Sequence, residues 1–211
     1  MKKNKGFTLV EMIVVVSIFA ILLGILVPSL NSILGFRVQR ATDSIAAALD
    51  QTKIEASSRL IGAMKLEKRT DGYYISYILD RGKIEVDGKE KENIKVNQSE
   101  EKIAPSKTQI LYYDNDNNEY PINEGNGIVI TYDRASGGFL PLMKSDNSEW
   151  ENFGFNVIDI VKDEHNGSYL SSMYDNGKMC SKIVVKGGSR TRTITLIPET
   201  GKYTITAGET S

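Results

Sequence analysis

The sequence predicts an α+β protein in which one long N-terminal helix packs on an antiparallel β-sheet head. A nearly unbroken apolar run covers residues 7–34, and an amphipathic pattern continues to about Met64. Short runs of β-branched and aromatic residues, separated by turn residues, follow from Tyr73 onward. The expected division is a basic leader at 1–6, the membrane and assembly half of the helix at 7–34, its amphipathic half at 35–66 and a β-rich head at 67–211.

The first 34 residues have the pattern of a membrane-targeting segment. Lys2, Lys3 and Lys5 precede the apolar run, in which Glu11 is the only ionisable side chain. The run exceeds the roughly 20 residues that a helix needs to cross about 30 Å of hydrocarbon. The three lysines place the N terminus in the cytoplasm by the positive-inside rule. We therefore expect a single-pass protein of the cytoplasmic membrane with an extracytoplasmic head.

Three simpler explanations of this segment fit it less well. A secretory signal peptide has an apolar stretch of about 7–15 residues and an Ala-x-Ala-like site, whereas this run is longer and ends near Val27-Pro28-Ser29-Leu30. A lipoprotein signal is excluded because the single cysteine is Cys180. A plain membrane anchor gives no reason for Glu11, since a carboxylate costs about 2.5–3.5 kcal/mol at the centre of a membrane. The signal peptide and the plain anchor remain open.

The segment Lys5-Gly6-Phe7-Thr8-Leu9-Val10-Glu11 resembles the processing site of type IV pilins and pseudopilins, which carry class III signal peptides. The resemblance implies that a prepilin peptidase cleaves after Gly6 and N-methylates Phe7, while the apolar helix is retained. Glycine suits position 6 because a protease can grip the extended backbone there without steric conflict. The implied function is that of a structural subunit and not of an enzyme.

Glu11 is the candidate assembly residue. Cleavage would create a positive amine at Phe7, and Glu11 lies four residues on, one helical turn away. An unpaired carboxylate in lipid is costly, so pairing with the amine of its own chain or of a neighbouring subunit would favour assembly. In the pilin family the usual partner is the neighbouring subunit, which makes this glutamate a register device for stacked helices.

Pro28 interrupts the apolar run. A proline inside a helix removes one hydrogen bond and bends the axis, and pilin helices often bend near this point. The other interpretation is a helix that ends at the membrane surface. Beyond Pro28, the apolar residues expected on one helix face are Phe36, Val38, Ile45, Leu49, Ile54, Leu60, Ile61 and Met64.

The head has the composition of a sheet of short strands. The expected strands are residues 73–79, 109–113, 128–132, 155–161, 182–186, 193–197 and 203–206. Hairpin loops are expected at residues 80–83, 133–138 and 199–202, where glycine can adopt positive φ. Residues 87–104 are charged and indicate a mobile loop or a weak strand pair, and residues 114–126 indicate a polar insertion.

Parts of the stem and the C terminus are similar to H-type minor pseudopilins. The similar stretches are residues 47–56, 128–137, 190–196 and 200–203. Some H-type minor pilins of competence systems bind DNA through basic residues near the C terminus, and here Arg190, Arg192 and Lys202 are the candidates. Arg190 and Arg192 would share one face of a strand, as phosphate contacts require. A solvated face and a contact with a partner pilin are the competing explanations.

A calcium site is the one candidate for a cofactor. Asp114, Asp116 and Asn118 supply oxygen ligands at alternate positions, as calcium loops do. The segment departs from an EF-hand because Glu119 stands where glycine is required and Gly125 where the bidentate glutamate belongs. An exposed turn rich in Asp and Asn is the competing explanation, so no cofactor is the primary expectation.

Composition excludes several other classes of function. The 211 residues contain 26 Lys and Arg, 27 Asp and Glu, one His and one Cys. The net charge of −1 selects no partner, and the single His and Cys exclude metal sites with two imidazoles and Cys-rich zinc sites. No phosphate loop, nucleophile elbow or dinucleotide fingerprint is present.

The sequence therefore predicts a minor type IV pilin or pseudopilin. Its expected partners are other pilin subunits, which it contacts through the N-terminal helix, the prepilin peptidase, the membrane and a pilus assembly platform driven by a cytoplasmic ATPase. Its expected final location is a pilus or pseudopilus at the cell surface, as part of a type IV pilus or a type II secretion-like machine. The alternatives are a DNA-uptake pilin and a membrane-anchored surface adhesin or enzyme that keeps Met1.

Overall fold

A computed structural model describes residues 8–58, 61–80, 84–86, 89–91, 95–142 and 178–209. Within these ranges the protein is α+β, with one long helix packed on antiparallel sheets, as the sequence predicts. The expected strand at residues 155–161 and the expected loop at residues 81–83 lie outside the described residues.

Helix α1 (Leu9–Ser58) is continuous through position 28, so it does not end at Pro28. It ends at Ser58 and not near Met64, because residues 61–69 form strand β1 instead of further helical turns. Strand β1 comes close to the end of the helix: a Cβ added at Gly62 would lie 2.4 Å from the backbone nitrogen of Ala56. Only a residue without a side chain permits this approach of strand to helix end.

Eleven strands are described. Their bounds are β1 (Ile61–Arg69), β2 (Gly72–Asp80), β3 (Ile84–Val86), β4 (Lys89–Lys91), β5 (Lys95–Pro105), β6 (Gln109–Asp114), β7 (Glu119–Pro121), β8 (Ile128–Thr131), β9 (Cys180–Gly187), β10 (Arg190–Ile197) and β11 (Lys202–Glu209). The first large sheet has the order β5-β2-β1-β8, the second has the order β11-β10-β9-β6-β7, and β3 and β4 form a separate hairpin. All pairings between these strands are antiparallel.

Six of the expected strands are confirmed, namely those that became β2, β6, β8, β9, β10 and β11. For residues 87–104 the sequence predicts a mobile loop or a weak strand pair, and in the second half of this segment the structure has a strand and not a loop. There β5 is an 11-residue strand that pairs along β2 with register shifts that mark bulges. Charged residues occur on this strand because it is an edge of its sheet and meets solvent on one side.

The core lies where α1 meets both large sheets, and α1 contacts strands of each. The fully buried helix residues are Val38, Ala41, Thr42, Ile45, Leu49 and Thr52, at the three- and four-residue spacing of one helix face. Phe36 and Ile54 were expected on that face, but they are 68% and 67% exposed. They lie 18 residues, or five turns, apart and so share the opposite side of the helix.

Candidate functional site

The N-terminal end of α1 is closed by a capping box. The Thr8 backbone N–H donates to the Glu11 carboxylate (2.7 Å), and the Thr8 hydroxyl donates to the same oxygen (2.8 Å). In return the Glu11 N–H donates to the Thr8 hydroxyl oxygen (3.3 Å). This reciprocal pattern satisfies helix N–H groups that have no partner within the helix. Glu11 therefore completes the helix start within its own chain, while Gly6 and Phe7 lie outside the described residues.

The helix that follows presents apolar side chains on every side. From Leu9 to Leu23 each large apolar side chain is between 44% and 75% exposed. We call residues 9–24 the stem. Its one hydroxyl, on Ser17, donates to the carbonyl of Ile13 (2.8 Å), so it too is satisfied within the helix. In the part of the chain that the structure describes, no helix meets the combined length and apolarity of a membrane span.

The amphipathic half of α1 is tied to the head by polar contacts near its C-terminal end. Lys53 donates from its ammonium to the carbonyls of Thr200 (2.9 Å) and Gly201 (3.2 Å). The Tyr203 hydroxyl donates to the Asp50 carboxylate (2.8 Å), and burial together with this bond raises the pKa of Tyr203 to about 12. These bonds hold the hairpin of β10 and β11 against the helix.

The three basic residues considered for DNA binding do not share one face. Arg190 and Arg192 alternate with the buried Ile194 and Leu196 on β10, so they lie on the face that meets the helix. Arg190 crosses α1 at Gly35, where an added Cβ would be 3.2 Å from its Cγ. Lys202 pairs with Ile197 and so lies on the other face. The strand places Arg190 and Arg192 together, as expected, but separates them from Lys202.

The segment considered for calcium closes on itself through Asp114. One carboxylate oxygen accepts the N–H groups of Asp116 and Asn118 (both 2.9 Å). The other oxygen accepts the Asn118 amide (2.9 Å) and the Tyr120 hydroxyl (3.0 Å). These bonds, that of the Asn118 side chain first, lower the pKa of Asp114. Among the described residues no group of three or more His, Cys, Asp or Glu side chains is arranged to hold a metal.

Where α1 enters the head, a shallow cleft of about 270 Å³ opens between the helix and the end of β5. Its cationic lining is Arg37, Arg40 and Lys102, and its apolar lining is Ile103, Ala104 and Pro105. The Lys102 ammonium is held by the Asp71 carboxylate at 2.6 Å. We call this feature the base cleft.

Residues 1–27 match the family model described as the prokaryotic N-terminal methylation motif. The chain thus carries a class III signal peptide, as type IV pilin-like precursors do. Comparison with curated proteins and with solved structures gave no match. The motif belongs to proteins that serve as structural subunits, and its match includes Gly6, Phe7 and Glu11.

Two features of this region were not predicted from the sequence. The capping box has a local signal, because Thr8-Leu9-Val10-Glu11 follows the S/T-x-x-E pattern that precedes an apolar helix. The base cleft has none, since it combines two arginines of α1 with the end of a strand about 60 residues later in the sequence. Only the folded chain brings these groups together.

Proposed function

We propose that this chain is a minor type IV pilin or pseudopilin, a structural subunit that assembles through its N-terminal helix into a pilus or pseudopilus. Prepilin peptidase cleaves after Gly6 and methylates the amine of Phe7. The subunit is stored in the cytoplasmic membrane with its head outside, and an assembly platform then moves it into the filament.

The exposure of the stem carries this proposal. At about 25 cal/mol per Å² of apolar surface, a helix with large apolar side chains open on all sides is strongly unfavourable in water. Lipid or the stems of other subunits can cover it all round, whereas the head covers only one face of the helix from Val38 onward. A stem of this kind suits both storage in a membrane and packing among other helices in a filament.

Glu11 gives the stem its register in this mechanism. Its carboxylate caps its own helix start, and Glu11 stands four residues after the amine that cleavage would create. In an apolar surrounding the charge is stabilised by an opposite charge. The amine of an entering neighbour supplies one only when the two helices stand at a fixed offset. A subunit out of register therefore leaves both charges unpaired.

We do not extend the proposal to DNA uptake, because Lys202 lies on the opposite sheet face from Arg190 and Arg192. The membrane-anchored adhesin is separable from the proposal by its intact Met1. The proposed pilin and both alternatives would all be located at the cell surface, so location alone does not discriminate among the three.

The mass of the mature chain tests the proposal. Protein isolated from cells with a prepilin peptidase should begin at N-methyl-Phe7, and protein from cells that lack the peptidase should keep the leader. A Gly6→Leu chain is the matched control and should stay uncleaved in both. A chain that begins at Met1, or after Pro28, in the presence of the peptidase would refute the proposal.

A further inference from the structure

We propose that the base cleft binds the phosphate of an anionic phospholipid at the point where α1 leaves the membrane. This inference rests on the proposed function, because it requires that the stem be stored in a bilayer. The ligand is a lipid headgroup and not a free anion.

The two arginines provide the charge. Arg37 and Arg40 are three residues apart on α1, so their side chains are neighbours on one helix face. Both are exposed. No carboxylate of the described residues forms an ion pair with either of them. Two adjacent guanidinium groups with open donors match the geometry of a phosphate, which each can bind with two parallel hydrogen bonds.

One cation of the cleft is paired, and the two other nearby carboxylates do not line it. Lys102 is paired with Asp71, and the Tyr74 hydroxyl donates to the same carboxylate (2.6 Å). Glu101, beside Lys102 on β5, accepts the hydroxyl of Ser44 (3.2 Å). Asp43 follows Arg40 by three residues on the helix. Neither Glu101 nor Asp43 lines the cleft, so its lining carries three cations, of which only Lys102 has a carboxylate partner within the described ranges.

The position of the cleft selects lipid as its ligand. Arg37 follows Leu34, the last residue of the apolar run, by three residues, a rise of about 4.5 Å along the helix. As a helix, the apolar run of residues 7–34 rises about 42 Å, which matches the roughly 40–45 Å of a bilayer with its headgroup regions. Both guanidinium groups therefore lie at the outer headgroup surface when the run spans the bilayer. The apolar lining from Ile103 to Pro105 faces the same space and suits the glycerol and first methylenes of a lipid.

Native mass spectrometry of the full chain in neutral detergent tests the inference. Phosphatidylglycerol should bind more tightly than phosphatidylcholine, and Arg37→Gln/Arg40→Gln should lower its binding constant about 10- to 30-fold. The matched control is Arg134→Gln/Lys202→Gln, which also removes two positive charges. These residues belong to the loops near Lys53, which lies about 24 Å from Arg37 along the helix axis. This variant should bind lipid as the wild type does.

Three results would overturn the inference. They are equal binding of the two lipids, equal loss in both double variants, and displacement of phosphatidylglycerol by an excess of inorganic phosphate, which would indicate a free-anion site. The mass of the same sample separates this outcome from failure of the proposed function. A chain that begins at N-methyl-Phe7 but does not discriminate between lipids refutes the base-cleft inference alone, whereas a chain that keeps Met1 refutes the proposed function.

Discussion

The Glu11 carboxylate has one observed role, the helix cap, and one proposed role, charge pairing in assembly. The oxygen that accepts both the Thr8 N–H and the Thr8 hydroxyl closes the helix start, and this role needs only an acceptor. Pairing with a neighbouring amine needs a negative charge. Glutamine keeps the acceptor and removes the charge, whereas alanine removes both.

We therefore expect Glu11→Gln and Glu11→Ala to fail equally in filament assembly while both are processed and stay in the membrane. The reason is that the proposed register depends on charge and not on the cap. Immunoblots of sheared filaments and of membrane fractions measure the two pools, and Ser17→Ala on the same stem serves as the control. If Glu11→Gln assembles like the wild type, the cap is the essential role and charge pairing is not the register device.

The lowered pKa of Asp114 predicts how the stability of the head depends on pH. Hydrogen bonds to its ionised form lower its pKa in the folded state. The unfolded state then binds more protons in acid, so the stabilisation is complete above the ordinary Asp pKa of about 3.9 and is lost as pH falls through the lower folded value.

Asp114→Ala should accordingly lower the Tm at pH 7. The difference in Tm between the variant and the wild type should become smaller below about pH 3.5. Calcium should leave the Tm of both chains unchanged, since four donors already occupy the Asp114 oxygens. Asp116→Ala, which removes an exposed carboxylate from the same turn, is the control. A rise in Tm with calcium in the wild type, absent in Asp114→Ala, would establish a metal site instead.

Among the elements, the end of the helix was the hardest to predict. Ile61 and Met64 continue the apolar spacing of α1, so periodicity alone extends the helix. The competing signals were Gly62 and the turn Thr70-Asp71 ahead of Gly72, which joins β1 to β2. As a central strand between β2 and β8, β1 is buried on both faces and has no clean alternation, which removes the usual mark of a strand.

The sequence predicts strand β5 only as one of two alternatives, a mobile loop or a weak strand pair. Its first half is polar and charged, which is typical of a loop, but the backbone of this strand pairs along β2 from Lys95 to Pro105. The two described loops that were predicted from their turn residues contain glycines with the expected backbone conformation. Gly201 and Gly137 adopt positive φ values of 59° and 69° in the two described loops that the sequence predicts.

Gly125 and Gly201 both have positive φ, but only at Gly201 would an added side chain also collide with other atoms. A Cβ at Gly201 (φ 59°) would lie 2.0 Å from the carbonyl oxygen of Gly137, whereas at Gly125 (φ 77°) it would meet nothing within 4 Å. Gly125→Ala should cost about 1–2 kcal/mol from left-handed strain alone. Gly201→Ala should cost clearly more, because the two loops must also move apart.

Chemical denaturation of the full chain in detergent, followed by near-ultraviolet circular dichroism, measures both costs. The expected order is wild type, Gly125→Ala, then Gly201→Ala. An equal loss of unfolding free energy in the two variants would mean that the loops of Gly137 and Gly201 can move apart at no cost in packing.

At the scale of the whole molecule, the burial of α1 changes along its length. Side chains of α1 are exposed from Leu9 to Leu23, and one face is buried from Val38 onward. The motif around Gly6 and Phe7 could be found from sequence because processing acts on a short local pattern. The base cleft and the split of the basic residues depend on strand pairing, which no local pattern specifies.

The burial pattern also predicts where the chain can be shortened. A chain that begins at Ser32 loses the stem but keeps Leu34, which packs against Gly188, and all residues of α1 whose burial the structure describes as complete. It should be folded and soluble without detergent. A chain that begins at Asp50 also loses Ile45 and Leu49, both fully buried. Since each such loss costs about 2–5 kcal/mol against a total stability of about 5–15 kcal/mol, this chain should not fold.

Size-exclusion chromatography and near-ultraviolet circular dichroism of the two shortened chains measure this difference. The control is the Ser32 chain with Ile45→Ala/Leu49→Ala, which keeps the helix length but removes its buried contacts and should resemble the Asp50 chain. Aggregation of the Ser32 chain without further substitutions would mean that it exposes apolar surface other than that of the stem. A folded Asp50 chain would mean that the sheets are stable alone and that α1 is a replaceable tether.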